Sequence, residues 1–283
     1  MRPPVTLLYA PADRADRVRK AYGAGADVVI IDLEDAVAPS AKDDARDLLA
    51  ALIHVLLRTP SPRGRPALQV RINQAGTPWH EADVALVAAL PGEVSVRLPK
   101  AESPDQVRTL CTHLDGRPIH LLLESAIGIE RAYELATCHP SVAGISIGEA
   151  DLRAALGVSN DDGLLWARSR VVLAAAAAGL PAPAMSVFAN VSDLTGLKRS
   201  SEAGRALGFL GRTAIHPRQL DAIRTAFTPG QAEIERAREV VVAADEAGAQ
   251  GTGAIALPDG RFVDEAVVRQ ARRTLALVDQ DMP

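Results

Sequence analysis

Ile119-His-Leu-Leu-Leu-Glu124 and Val142-Ala-Gly-Ile-Ser-Ile-Gly-Glu-Ala-Asp151 decide how this chain is read. Each is a short apolar run that gives way to an acidic residue, and helical periodicity fills the stretch between them. Short strand, polar turn, longer amphipathic segment is the repeating unit of a parallel sheet with crossover helices. Six more such runs lie to either side: Val5 to Ala10, Val28 to Leu33, Ala67 to Ile72, Val94 to Leu98, Ala184 to Phe188 and Phe209 to Ile215. Eight strand-helix units predict an α/β protein, a closed (β/α)8 TIM barrel. Its usual size of ~250 residues leaves a remainder in a chain of 283. A doubly wound open sheet is the rival. It is disfavoured because no Gly-x-Gly-x-x-Gly follows the first strand. Polar residues also cluster just past the strands, at Arg71-Ile-Asn73, Pro99-Lys100, Glu124-Ser125, Gly148-Glu-Ala-Asp151 and His216-Pro217, on the face where barrels carry their chemistry.

The remainder begins near Thr228. Pro229-Gly230 breaks the chain, Gln231 to Ala247 reads as a helix, and Gly248 to Gly253 as a glycine-rich connector. Ile255 to Val263 reads as a hairpin turning at Asp259-Gly260, and Asp264 can cap a last helix to about Asp279. The expected domains are a barrel over residues 1–228 and a helix-hairpin-helix extension over 229–283. Phe262, Val263, Val267 and Val268 in that extension need a surface to bury against, and a neighbouring subunit is the expected one.

Composition narrows the function. A chain 48% hydrophobic and 23% charged is globular. No apolar run approaches the ~20 residues of a membrane span, and the N-terminus lacks a signal peptide's pattern, so a cytoplasmic protein is expected. Two cysteines, Cys111 and Cys138, make neither a disulfide framework nor a zinc motif. A net charge of −4 and 3% aromatics give no footprint for nucleic acid. The expected partner is a small molecule.

Glu124 and Asp151 follow consecutive strands, and parallel neighbours lie ~4.8 Å apart. Two carboxylates brought so close need a cation, and hard oxygen ligands favour Mg2+, or Mn2+. The alternative is that Glu124 pairs with a loop arginine and Asp151 caps the helix Leu152 to Leu156. Arg71, at the end of a buried strand, must meet an anion, either a structural carboxylate such as Glu34 or a substrate carboxylate. In Asp32-Leu-Glu-Asp35, period-2 alternation sends Asp32 and Glu34 one way and Asp35 the other. These acids can orient Arg71 and Lys42. Lys100 reads as a phosphate contact, a Schiff-base lysine or a paired cation, and His216 as a hydrogen-bonded structural histidine.

The ordered set Pro11-Ala-Asp-Arg14, Ala26-Asp-Val-Val-Ile-Ile-Asp-Leu-Glu-Asp-Ala-Val37, Val70-Arg-Ile-Asn73, Leu98-Pro-Lys-Ala101, Leu123-Glu-Ser125, Gly148-Glu-Ala-Asp-Leu152 and Ala214-Ile-His-Pro217 resembles the citrate lyase β-subunit (CitE-like) family. That family lies within the HpcH/HpaI aldolase and citrate lyase superfamily. The resemblance implies a Mg2+-dependent carbon-carbon lyase that cleaves citryl-CoA, malyl-CoA or citramalyl-CoA to acetyl-CoA and a 2-keto acid such as oxaloacetate. It implies Glu124 and Asp151 as metal ligands, and Arg71, Glu124, Arg14 and Glu34 as substrate contacts. It further implies a homotrimer in which Asp264 supplies acid-base chemistry to a neighbour's site, and it leaves open whether sibling citrate lyase subunits are partners. Where many members carry acids, this chain reads Pro183-Ala-Met-Ser-Val187 and Asn190, which bears on the substrate. Within enzymes, a metal-dependent pyruvate or phosphoenolpyruvate aldolase without CoA is the alternative. Outside them it is a non-catalytic subunit that binds keto acid.

Overall fold

The computed structural model describes residues 3–61, 64–249, 255–257 and 260–278. Contacts divide the chain into two units, Pro4–Thr225 and the described residues from Ala226 onward together with Pro3.

The first unit is an α/β structure on one parallel sheet. Its strands are β1 (Thr6–Pro11), β2 (Val28–Asp32), β3 (Ala67–Arg71), β4 (Ser95–Leu98), β5 (Ile119–Leu123), β6 (Val142–Ile147) and β7 (Arg212–Ala214). Their order is β6-β5-β4-β3-β2-β1-β7, so β1 to β6 follow one another in sequence order and the first strand meets the last. β2 is buried at every position, as a strand covered on both faces must be. Gly211 lets β7 approach β1, because a Cβ there would lie 2.5 Å from the carbonyl oxygen of Val5. In-register pairing sets Asp32 beside Arg71 and Arg71 beside Arg97. Partners in register point to the same face, so the ends of three strands present one acid and two guanidinium groups together.

The expected eight-stranded closure is corrected in one place. Ala184–Phe188 is no strand. Met185 forms a single bridge to Arg212, supported by Met185 N–H to the Gly211 carbonyl at 2.9 Å and Thr213 N–H to the Met185 carbonyl at 3.0 Å. On the side of β6 the joining bond is to a side chain, Glu149 N–H to Ser186 Oγ at 3.1 Å. Pro181 and Pro183 lack the N–H groups that a ladder requires. The result is a curled seven-stranded sheet with a non-laddered segment at its seam.

In the second unit, a helix over Gln231–Ala249 precedes β8 (Ile255–Ala256), β9 (Phe262–Val263) and a helix over Glu265–Ala276. β8 and β9 pair antiparallel, and Gly260 takes the left-handed conformation (φ +85°) that the turn requires. Ala237, Val240, Leu257, Val263, Val268 and Ala271 form this unit's buried core. Gly248 belongs to the helix instead of a connector. The rest of the expected connector, Asp259 of the turn, and Asp279 lie outside the described residues. Among the described residues no helix is long and apolar enough to cross a membrane.

Candidate functional site

The site grows from the end of β2. There Asp32 turns its carboxylate back on its own loop, accepting from Glu34 N–H at 2.9 Å and Ala36 N–H at 3.1 Å. The same two oxygens take Arg71 as a two-toothed pair, Nε at 2.7 Å and Nη2 at 2.6 Å. Arg71 Nη1 reaches Glu34 at 2.8 Å and Asp35 at 3.5 Å. The guanidinium also lies 4.8 Å from the centre of the Tyr9 ring. Burial opposes its charge, but Asp32, Tyr9 and Glu34 outweigh burial and raise its pKa. The alternation expected of Asp32, Glu34 and Asp35 stops because β2 ends at Asp32, and all three acids converge on Arg71. Among the described residues Lys42 pairs with no carboxylate. Its Nζ donates to the carbonyls of Leu33 (2.7 Å) and Glu34 (2.8 Å) and so braces the loop.

Across the mouth, Lys100 adopts a left-handed backbone (φ +48°), a conformation rare outside glycine. The turn aims its N–H at Glu124 Oε1, 2.8 Å away, while its Nζ reaches Glu34 at 2.8 Å and Asp151 at 4.0 Å. This favours the paired cation over a Schiff-base lysine, because Glu34 more than offsets the burial that would lower its pKa, and the pKa is raised. Glu124 is buried. Burial first, then the neighbouring Glu34 and Asp151, push its pKa up to about 8. Burial also raises Glu34. Gly148 leaves room for Glu124, since a Cβ there would lie 2.5 Å from Glu124 Oε2.

The two structural alternatives for the acidic pair are not what the structure shows. Asp151 sits in the first turn of the helix Glu149–Leu156, which has Gly148 at its cap, and its side chain is about half exposed. Among the described residues no arginine pairs with Glu124. A buried carboxylate with raised pKa, beside a second carboxylate open to solvent, is a donor set that fits a divalent cation. Among the described residues no cluster of three or more His, Cys, Asp or Glu side chains could hold a metal ion. Mg2+, which needs only one or two carboxylates and completes its shell with water and substrate oxygens, suits such a pair.

Other expected residues make contacts of their own. Arg14 pairs with Asp16 at 3.2 Å on an exposed surface and does not join the cluster. Asp264 caps its helix, accepting from Val267 N–H at 3.0 Å. His216 Nδ1 accepts from Arg218 N–H at 3.2 Å. Asn190 accepts from Ser192 N–H within a turn, and Met185 is buried at the cavity that Arg71, Glu124 and Asp151 line, packed where a Cβ on Gly204 would clash. Sequence reading passed over Tyr9, Arg97 and Ser146, which line the same cavity of about 360 Å3 as Arg71, Glu124 and Asp151. The available signal for Arg97 was a lone charge inside the apolar run Val94 to Leu98.

A curled parallel sheet whose strand ends join buried acids, cations and a half-open acidic pair around one cavity has the makings of a metal-dependent enzyme acting on a small anionic substrate. The chain belongs to the HpcH/HpaI aldolase/citrate lyase family, whose model matches residues 5–217. It is 35% identical over 274 residues to a (3S)-malyl-CoA thioesterase of Cereibacter sphaeroides, covering 96% of this chain and 93% of that one. It is 34% identical to the citrate lyase subunit beta of Leuconostoc mesenteroides subsp. cremoris, covering 97% and 93%. The CitE protein of Mycobacterium tuberculosis, solved with magnesium, acetoacetate and coenzyme A, superposes with a TM-score of 0.80 at 34% identity over 98% of both chains.

Proposed function

We propose that this protein is a Mg2+-dependent carbon-carbon lyase that cleaves a 3-hydroxy-3-carboxylate or related 3-hydroxyacyl-CoA thioester, of the citryl-CoA or malyl-CoA type, to acetyl-CoA and a 2-keto acid. The observation that carries the reading is the acidic pair Glu124 and Asp151 facing Arg71 across one cavity. Glu124 and Asp151 hold Mg2+, which when bound supplies Lewis-acid polarisation of the substrate's oxygens. Arg71, fixed by Asp32, presents its remaining donor capacity and charge to the carboxylate of the keto-acid half. Lys100 balances Glu34 and orients Glu124 through its backbone N–H. In the cleavage a base removes the hydroxyl proton, the carbon-carbon bond breaks, and its electron pair passes to the acetyl thioester as an enolate that an acid must protonate. Asp264 of a neighbouring copy is our assignment for that acid.

The remaining parts of the reading are ours as well. The curled sheet, with 184–188 as its eighth stave, is a (β/α)8 barrel over residues 1–228. The helix-hairpin-helix over 229–283 packs on a neighbouring subunit of a cytoplasmic homotrimer, a packing consistent with the exposed Phe262. Similarity to a (3S)-malyl-CoA thioesterase supports a second reading, hydrolysis of the thioester at the same site. A panel of acyl-CoA thioesters assayed with Mg2+ tests both. The lyase releases acetyl-CoA with a 2-keto acid, the thioesterase releases free CoA with an intact hydroxy acid, and an aldolase without CoA or a non-catalytic subunit releases neither.

A further inference from the structure

Arg97 is buried at 3% exposure, yet among the described residues no carboxylate lies within ion-pair distance of it. Its Nε and Nη2 donate to Gln69 Oε1 at 3.1 and 3.0 Å, and its Nη1 to Ser146 Oγ at 2.8 Å. Those bonds use three of the five N–H groups that a guanidinium carries, and all go to neutral acceptors. Burying such a group without a counter-ion is costly, and this one lines the cavity. Its place is deeper than the metal pair. Its partners lie within the strands, Gln69 on β3 two residues before Arg71 and Ser146 on β6, whereas Glu124 and Asp151 lie past the ends of β5 and β6.

The charges of the cavity are therefore unevenly layered. At the mouth, among the described residues, Asp32, Glu34, Asp35 and Asp151 pair with Arg71 and Lys100 alone, and Glu124 accepts from the Lys100 N–H. A divalent ion there would still leave no surplus positive charge for a second substrate anion. The floor has the reverse character, an arginine whose hydrogen-bond partners are neutral. We propose that Arg97 is a specificity-determining residue that binds a second carboxylate, carried on the keto-acid half of the substrate, and so selects dicarboxylic over monocarboxylic 2-keto acids. This rests on the proposed binding of a keto acid at Glu124, Asp151 and Arg71.

The test is calorimetric titration of the full-length protein, with Mg2+ present, with oxaloacetate and with pyruvate, which differ only in the second carboxylate. The wild type should bind oxaloacetate at least about tenfold more tightly, equivalent to about 1.4 kcal/mol. Arg97→Met should abolish that preference with pyruvate binding unchanged, and Arg97→Lys should retain part of it, with melting temperatures recorded for each. If the wild type binds both acids with Mg2+ but without preference, the role of Arg97 is refuted while the site reading stands. If it binds neither, both fall. Equal loss of both ligands in a folded Arg97→Met protein would make the residue structural and overturn the proposal. Should that variant not fold, the wild-type ratio and Arg97→Lys decide in the same way.

Discussion

Glu124 allows a test that reads the metal site through its proton. With a pKa of about 8, the carboxyl is roughly nine-tenths protonated at pH 7, each pH unit being worth 1.36 kcal/mol. Mg2+ needs the carboxylate, so its binding must expel a proton. The Mg2+ association constant should rise about tenfold per pH unit below 8 and level off above it. Titrations in two buffers of different ionisation enthalpy should report close to one proton released at pH 7 and almost none at pH 9. The apo protein should show the opposite trend. A raised pKa means that the folded state binds the proton more tightly than the unfolded chain, so stability is greatest below about 4.5 and is lost as pH rises through about 8. Taken over that whole window the loss has an upper bound of roughly 5 kcal/mol. Glu124→Gln removes the titrating group and should flatten the stability profile of the apo protein. Metal affinity independent of pH between 6 and 8, or no proton release at pH 7, would show that Glu124 is not a ligand.

Four further outcomes are expected. Asp151→Asn, like Glu124→Gln, should abolish Mg2+-dependent keto-acid binding with the fold intact by circular dichroism, and unchanged metal affinity by calorimetry would remove either residue from the site. Gly148→Ala should displace Glu124, whose Oε2 the new Cβ would approach to 2.5 Å. It should weaken Mg2+ binding and lower stability by about 1–3 kcal/mol, whereas wild-type affinity would mean that the carboxylate is free to move. Arg71→Lys should weaken oxaloacetate or glyoxylate binding by on the order of 1.5–3 kcal/mol, because a point charge cannot keep the two-toothed contact with Asp32 and also serve a ligand. An unchanged dissociation constant would leave Arg71 only its structural pairing. Asp264→Asn chains mixed with Glu124→Gln chains should regain part of the lyase activity if the acid acts between subunits, and no recovery after proven subunit exchange would refute the shared site.

Much of the architecture was legible because burial of a strand is a local pattern. The runs Val28 to Leu33, Ala67 to Ile72, Val94 to Leu98, Ile119 to Leu123 and Val142 to Ile147 announced themselves by length and apolarity, and the polar residues at and after their ends marked the face where the chemistry lies. The same locality misled at Ala184–Phe188, whose composition suits a strand but whose flanking prolines deny it a ladder. It misled again at Asp35, where alternation was carried past the end of β2.

What the chain alone determined is the alternation of strand and helix and the types of residue at the strand ends, from which Glu124, Asp151 and Arg71 stood out. Only the tertiary structure decided how those residues share charge. Asp32 meets Arg71 across 39 positions and Lys100 meets Glu34 across 66. The raised pKa of Glu124 and the lone charge of Arg97 belong to no single segment. Coulomb energy and desolvation depend on distance and burial in space, which spacing along a sequence does not encode until the sheet has curled.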